Sequence, residues 1–272
     1  MLPNLIVIGA AKCGTTSLHE YLAMHPDIAM SAKKELNFFT RDNWRSQVDW
    51  YADQFADAPV RGESSPGYTL APYLPSTAER IHDLVPEAKL VYLVRDPVDR
   101  AVANYIELVM HRLETRPIDA ALTDFTADNP HLCGSRFGSQ VERFLRHFDR
   151  NQLLVVDQAD LLQQRRPTLR RIFEFLGVDA DFDSPQFDRT HNTRATKLRY
   201  NDVAMWLIRR GWFVERGGSV RGTLVRPLRG LLSSPIDDQM SPQARAALTA
   251  ELRPEVDKLQ RLTGFAARSW AV

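Results

Sequence analysis

Three short apolar runs stand out along the chain, Leu5-Ile6-Val7-Ile8, KLVYLV over Lys89–Val94 and LLVV over 153–156, with a weaker one over 60–63. Each is too short for a buried helix and is bounded by polar or turn-forming residues, so each reads as a β-strand. Between them apolar positions recur every three to four residues, which predicts helices over 14–24, 44–56, 75–85, 98–112, 137–148, 167–176, 203–214 and 242–262. The last opens with Ser241-Pro242, a capping residue followed by proline in the first turn. Strands alternating with helices specify a parallel sheet, because parallel neighbours need a crossover between them. Residues 180–200 and 216–236 carry Pro, Gly, Ser and Arg without periodicity and read as surface loops or lids. The expectation is a single α/β domain over 1–272, a central parallel sheet flanked by helices.

The first strand runs straight into Gly9, four residues separate Gly9 from Gly14, and Thr15-Thr16-Ser17 open a helix. Backbone N–H groups at such a turn, together with the positive dipole end of the helix, form an anion cradle. The glycine spacing is that of a nucleotide-binding P-loop, but Thr15 stands where the lysine of a Mg-ATP enzyme follows the second glycine. The loop's lysine is Lys12, two residues before Gly14. The strand at 89–94 delivers a second polar pair, Arg95 and Asp96, before Pro97 starts the next helix. Ligands of parallel sheets bind at that end of the strands. A permanently charged guanidinium there suits a second phosphate and opposes a bound cation, while Asp96 reads most simply as the cap of the following helix.

Composition narrows the field. The chain has 272 residues, 44% hydrophobic and 25% charged, with 35 Lys and Arg against 34 Asp and Glu. A net charge of +1 gives no overall field for nucleic acid or an anionic membrane, so any basic site is local. No run approaches the ~18 apolar residues of a spanning helix and no leader-like segment is visible, so a cytoplasmic protein is expected. Two cysteines, Cys13 and Cys133, make no disulfide framework, and no Cys/His spacing implies a metal. Cys13, beside Lys12 at a helix start, has the setting of a thiolate, although a small residue that fits the loop is the simpler view. None of the seven histidines belongs to a hydrolytic triad; His111, His131 and His191 are candidates to reach a substrate pocket.

GAAKCGTTSL at 9–18 resembles the 5'-phosphosulfate loop, and LVRDPVDRAVANY at 93–105 the 3'-phosphate segment, of sulfotransferases that use 3'-phosphoadenosine-5'-phosphosulfate (PAPS). KKELNFF at 33–39 is similar to the Lys-Glu-x-His-Phe-Phe stretch of bacterial and heparan-type members. ESSPGY at 63–68, residues 134–156 and TGFAARSW at 263–270 extend the resemblance over nearly the whole chain. It implies a P-loop NTPase-like sulfotransferase fold. It also implies a donor site at Lys12, Cys13, Gly14, Thr15, Thr16, Ser17, Arg95, Ala103 and Asn104, catalysis by Lys12 and by Glu35 as base, and no metal. The acceptor it implies is a small-molecule, carbohydrate or lipid-linked hydroxyl or amine. Three positions depart from the pattern: Asn37 replaces histidine, Ser64 replaces a lysine of some members, and Ala103 replaces a serine that helps Arg95 hold the 3'-phosphate. Asn104, Arg100 or a lid residue must then compensate, or nucleotide affinity is lower.

Over 203–232, Trp206, Trp212 and Phe213 alternate with six arginines against the single acid Glu215. Such a segment suits the nucleotide, an anionic acceptor or peripheral contact with a membrane surface, or else an aromatic helix packed on the domain. Phe38, Phe39 and Tyr68 are candidates for an acceptor pocket or for the core. A Mg-ATP phosphotransferase and a non-catalytic nucleotide-binding protein are the competing functions.

Overall fold

In the computed structural model, the described residues are 1–188, 198–200, 233–236, 238–268 and 270–272. The helix expected over 203–214, the arginine-rich segment and His191 lie outside them. The chain runs β1 (Leu5–Gly9), α1 (Thr15–Leu22), β2 (Ile28–Met30), α2 (Val48–Ala52), β3 (Val60–Ser64), α3 (Thr77–Leu84) and β4 (Lys89–Val94). It continues through α4 (Pro97–Met110), α5 (Ile118–Leu122), α6 (Pro130–Cys133), α7 (Phe137–Phe144), β5 (Leu153–Asp157), α8 (Gln158–Gln163), α9 (Arg165–Leu176) and α10 (Pro242–Thr263). A short antiparallel pair, β6 (Leu198–Tyr200) with β7 (Ser233–Pro235), stands apart from the main sheet.

The main sheet has the order β2-β3-β1-β4-β5, with every neighbouring pair parallel. β1 is central and fully buried, which is why its sequence is continuously apolar. The chain leaves β1 towards β2 and leaves β4 towards β5, on opposite sides of the sheet order. That divergence opens a crevice at the carboxyl ends of β1 and β4. The expected strands are all present, and β2 is an additional three-residue edge strand whose pattern is too short to show periodicity. The helix expected over 44–56 divides into a 3-10 turn, Trp44–Gln47, and α2. Phe38 and Phe39 are fully buried, and Phe38 stacks on Tyr51 with ring centroids 3.9 Å apart, so these aromatics belong to the core.

Two sets of contacts fix the crevice from below and behind. Asp96 caps α4 by accepting from the N–H groups of Val98 (2.9 Å) and Asp99 (3.0 Å), as its position before proline predicts. Its other oxygen accepts from Ala271 N–H, and Asp157 at the end of β5 accepts from the Trp270 indole, each at 2.9 Å. Residues 270–272 therefore tie the ends of β4 and β5 together.

Arg100, fully buried on α4, binds the first loop from beneath. Its guanidinium donates to Ala11 O (3.2 Å), His131 O (2.8 Å), Ser135 Oγ (3.4 Å) and Asn104 Oδ1 (3.2 Å). Gly134 lies against this group; a Cβ at that position falls 2.5 Å from Arg100 Nη2 and 2.6 Å from Cζ. Gly134→Ala is expected to lower stability by about 1–3 kcal/mol, because the guanidinium cannot withdraw without breaking its bonds. Urea unfolding with an unchanged m-value checks it.

Candidate functional site

The crevice is a cleft of about 1230 Å³. The β1–α1 loop forms one arm. Gly9 starts it at φ 155°, where a Cβ would collide with Thr69 Oγ1, and Gly14 closes it at φ 93°, so neither position accepts another residue without strain. α1 begins immediately afterwards without a side-chain cap, and the first N–H groups of a helix have no partner within it. Ala11, Lys12, Gly14, Thr15, Thr16 and Ser17 all line the cleft. Arg95, from the end of β4, lines it beside them and donates to Lys12 O at 3.4 Å. The strand-loop-helix motif and the second cationic position thus meet in space as their sequence contexts predict.

A second arm carries Glu35, Asn37 and Thr40, with Pro66 and Gly67 from the turn after β3. Glu35 is half exposed and pairs with Lys34 Nζ at 2.5 Å. Lys12, Glu35 and Asn37 have left-handed backbones, with φ of 70°, 63° and 49°. These are three of the four non-glycine residues with positive φ among those described, and such strain persists only where the surroundings enforce it. Leu70, Leu74, Val102, Met110, Leu161 and Leu162 give the remaining wall an apolar character.

The sequence did not single out the two carboxylates that face the cations. Glu107 Oε1 lies 3.0 Å from Lys12 Nζ, and Asp99 Oδ2 lies 3.9 Å from Arg95 Nη2, while Asp99 Oδ1 accepts from Arg245 Nη2 at 3.2 Å. Asp99, Ala103 and Glu107 follow one another at intervals of four on α4 and form the stripe that lines the cleft. Their i, i+4 spacing was the available signal. Ala103 is therefore in the expected place, flanked by two acids and offering no donor itself.

Two expected donor residues are elsewhere. Cys13 is fully buried and burial pushes its thiol up to about 12, which rules out the thiolate its sequence neighbours suggested. Asn104 follows Ala103 by one residue, about 100° around the helix, and points away from the cleft. It accepts from Arg100 and donates to Pro130 O at 3.3 Å, so neither Asn104 nor Arg100 replaces the missing serine. Ser64 is also buried, 3.0 Å from His19 Nδ1. His131 is fully buried, with Nε2 2.8 Å from Glu114 Oε2, and His111 is exposed at the end of α4; neither lines the cleft. Tyr68 is buried under the second arm and is not part of the lining. Among the described residues no cluster of His, Cys, Asp or Glu could hold a metal ion.

A P-loop-like turn, a second cation at the neighbouring strand end and a carboxylate across the same cleft define an α/β protein built to take a ligand with two separated anionic groups. The chain belongs to the sulfotransferase domain family, whose sequence profile matches residues 2–208. Mouse heparan sulfate glucosamine 3-O-sulfotransferase 3A1 is 31% identical over 188 residues, 65% of this chain and 46% of the relative. Mouse bifunctional heparan sulfate N-deacetylase/N-sulfotransferase 1 is 28% identical over 202 residues, 66% of this chain and 23% of the relative. The chain thus spans about a quarter to a half of these relatives. The crystal structure of a sulfotransferase from Alicyclobacillus acidocaldarius superposes with a TM-score of 0.69 at 25% identity, covering 98% of this chain and 97% of that one. A mouse sulfotransferase complexed with PAP shares the fold at a TM-score of 0.52 and 16% identity, over 97% and 89% of the two chains.

Because Glu107 competes for Lys12 in a partly exposed pair, its removal frees the cation for a ligand. Glu107→Gln is expected to bind 3'-phosphoadenosine-5'-phosphate (PAP) about two- to fivefold more tightly, a change that titration calorimetry resolves.

Proposed function

We propose that this protein transfers a sulfo group from PAPS to a hydroxyl or amine of a carbohydrate. One observation carries the proposal: Lys12, the start of α1 and Arg95 share a single cleft with Glu35. The anion cradle suits the phosphosulfate end of the donor, and Arg95 suits its 3'-phosphate. The named activities of the matched relatives support a carbohydrate acceptor.

The donor supplies an activated sulfo group, which an acceptor oxygen or nitrogen attacks in line while the bond to the 5'-phosphate breaks. Charge then grows on the bridging oxygen and phosphate. Lys12 and the N–H groups that open α1 stabilise it, fixed in place before the reaction by the left-handed turn at Lys12 and by Arg100 beneath Ala11. Thr15, Thr16 and Ser17 contribute hydroxyls in place of the water shell. Glu35 takes the acceptor's proton. Its half-exposed position beside Lys34 leaves it within reach of an incoming acceptor, and such a base is worth roughly 10²–10⁴-fold.

The wild-type protein is expected to bind PAP without magnesium, measured by calorimetry; tight Mg-ATP binding with no affinity for PAP would overturn the assignment in favour of phosphoryl transfer. Lys12→Ala is expected to abolish transfer from labelled PAPS to glucosamine-containing oligosaccharides. Glu35→Gln should lose roughly 10²-fold or more in turnover while keeping PAP affinity within twofold. Full turnover in Glu35→Gln would remove it as the base. Offering the oligosaccharides with the amine free or blocked, and locating the added group by mass spectrometry, separates N- from O-transfer.

A further inference from the structure

Glu63 is a buried acidic residue that does not line the cleft. It lies on β3, fully buried, and its carboxylate is met by three hydroxyls rather than by a cation. Tyr51 (2.5 Å) and Tyr68 (2.8 Å) donate to Oε1, and Ser65 (2.6 Å) donates to Oε2. Two of these hydroxyls also face the Glu35 arm. Ser65 Oγ accepts from Asn37 N–H and the Tyr68 hydroxyl accepts from Phe38 N–H, each at 3.0 Å. Glu35 N–H completes the set by donating to Ser64 O at 3.0 Å. Backbone groups of residues 35, 37 and 38 are therefore all anchored on β3 and the turn that follows it.

A hydroxyl has one proton, so a hydroxyl that gives it to a carboxylate presents only lone pairs elsewhere. We infer that Glu63 is the positioning residue for Glu35: by drawing the protons of Ser65 and Tyr68 inward, it turns their lone pairs towards the loop amides and holds the strained turn that presents Glu35 to the cleft. The inference rests on the assignment of Glu35 as base. An isosteric glutamine breaks the arrangement, since its amide adds two donors where a hydroxyl proton was received. Burial pushes the Glu63 carboxyl up while the three donors pull it back, as expected of a charge held by neutral partners alone.

The test compares wild type, Glu63→Gln, Glu35→Gln and the double variant. In Glu63→Gln, amide exchange at Asn37 and Phe38 is expected to accelerate about tenfold or more, with Thr15 and Thr16 unchanged and PAP affinity within twofold. Turnover with labelled PAPS and a glucosamine oligosaccharide should fall about tenfold in the native background and hardly at all in the Glu35→Gln background. Unchanged protection of Asn37 and Phe38, or an equal loss of turnover in both backgrounds, overturns the inference. Should Glu63→Gln not fold, Ser65→Ala and Tyr68→Phe carry the test, and loop exchange and turnover unaffected in both overturn it. Tyr51→Phe is the control, because the Tyr51 hydroxyl meets Glu63 but no loop amide. Failure of the base assignment shows separately, as full turnover in Glu35→Gln alone; the exchange measurement then decides by itself what Glu63 holds.

Discussion

A buried charge held by neutral partners lies beneath each arm of the cleft, and the geometry of the site depends on these two groups. Arg100 supports the β1–α1 loop through Ala11 O, and Glu63 supports the Glu35 arm through Ser65 and Tyr68. Removing one polar partner from such a group leaves a desolvated charge, whereas each hydrogen bond to it is worth about 1.5–3 kcal/mol. The two networks therefore have few tolerated states. That rigidity keeps Lys12 and Glu35 in left-handed conformations they would not adopt in a free chain.

Above these supports the cleft is electrostatically divided. Lys12 and Arg95 bring positive charge to its lining, yet Glu107 and Asp99 stand next to them on one stripe of α4. The pairs satisfy the cations when no anion is bound and oppose an anion when one arrives. Both pairs are partly exposed, so the competition is weak, of the order of 1 kcal/mol each. A phosphate met by a guanidinium fork and by helix N–H groups outweighs it.

The sequence revealed whatever was decided locally. β1 and β4, both glycines of the loop, the cap at Asp96 and the positions of Lys12 and Arg95 depend on residues close together in the chain, and the structure has them as expected. Residues whose environment is set by distant contacts were harder to read. The local setting of Cys13 left both a thiolate and a small loop-filling residue open, and its enclosure by the core, which no neighbour in sequence announces, decides for the second. Glu63 looked like one polar residue in a weak strand, because its partner Tyr51 comes from α2, a separate element, and the bond from Tyr68 forms only once the turn after β3 folds back. Periodicity does not register a strand of three residues, so β2 was missed.

Asn104 shows how strictly a helix separates neighbours. Ala103 faces the cleft, and a step of about 100° carries the next side chain to the face where Arg100, four residues earlier, braces the loop. Turning Asn104 outwards would rotate α4 and withdraw Arg100 from Ala11 O and His131 O. The amide cannot compensate for Ala103 without dismantling the support of the loop it would serve. Within α4 neither Asn104 nor Arg100 therefore stands in for the serine, whereas Arg95 lines the cleft from the end of β4, a position independent of the helix's rotation.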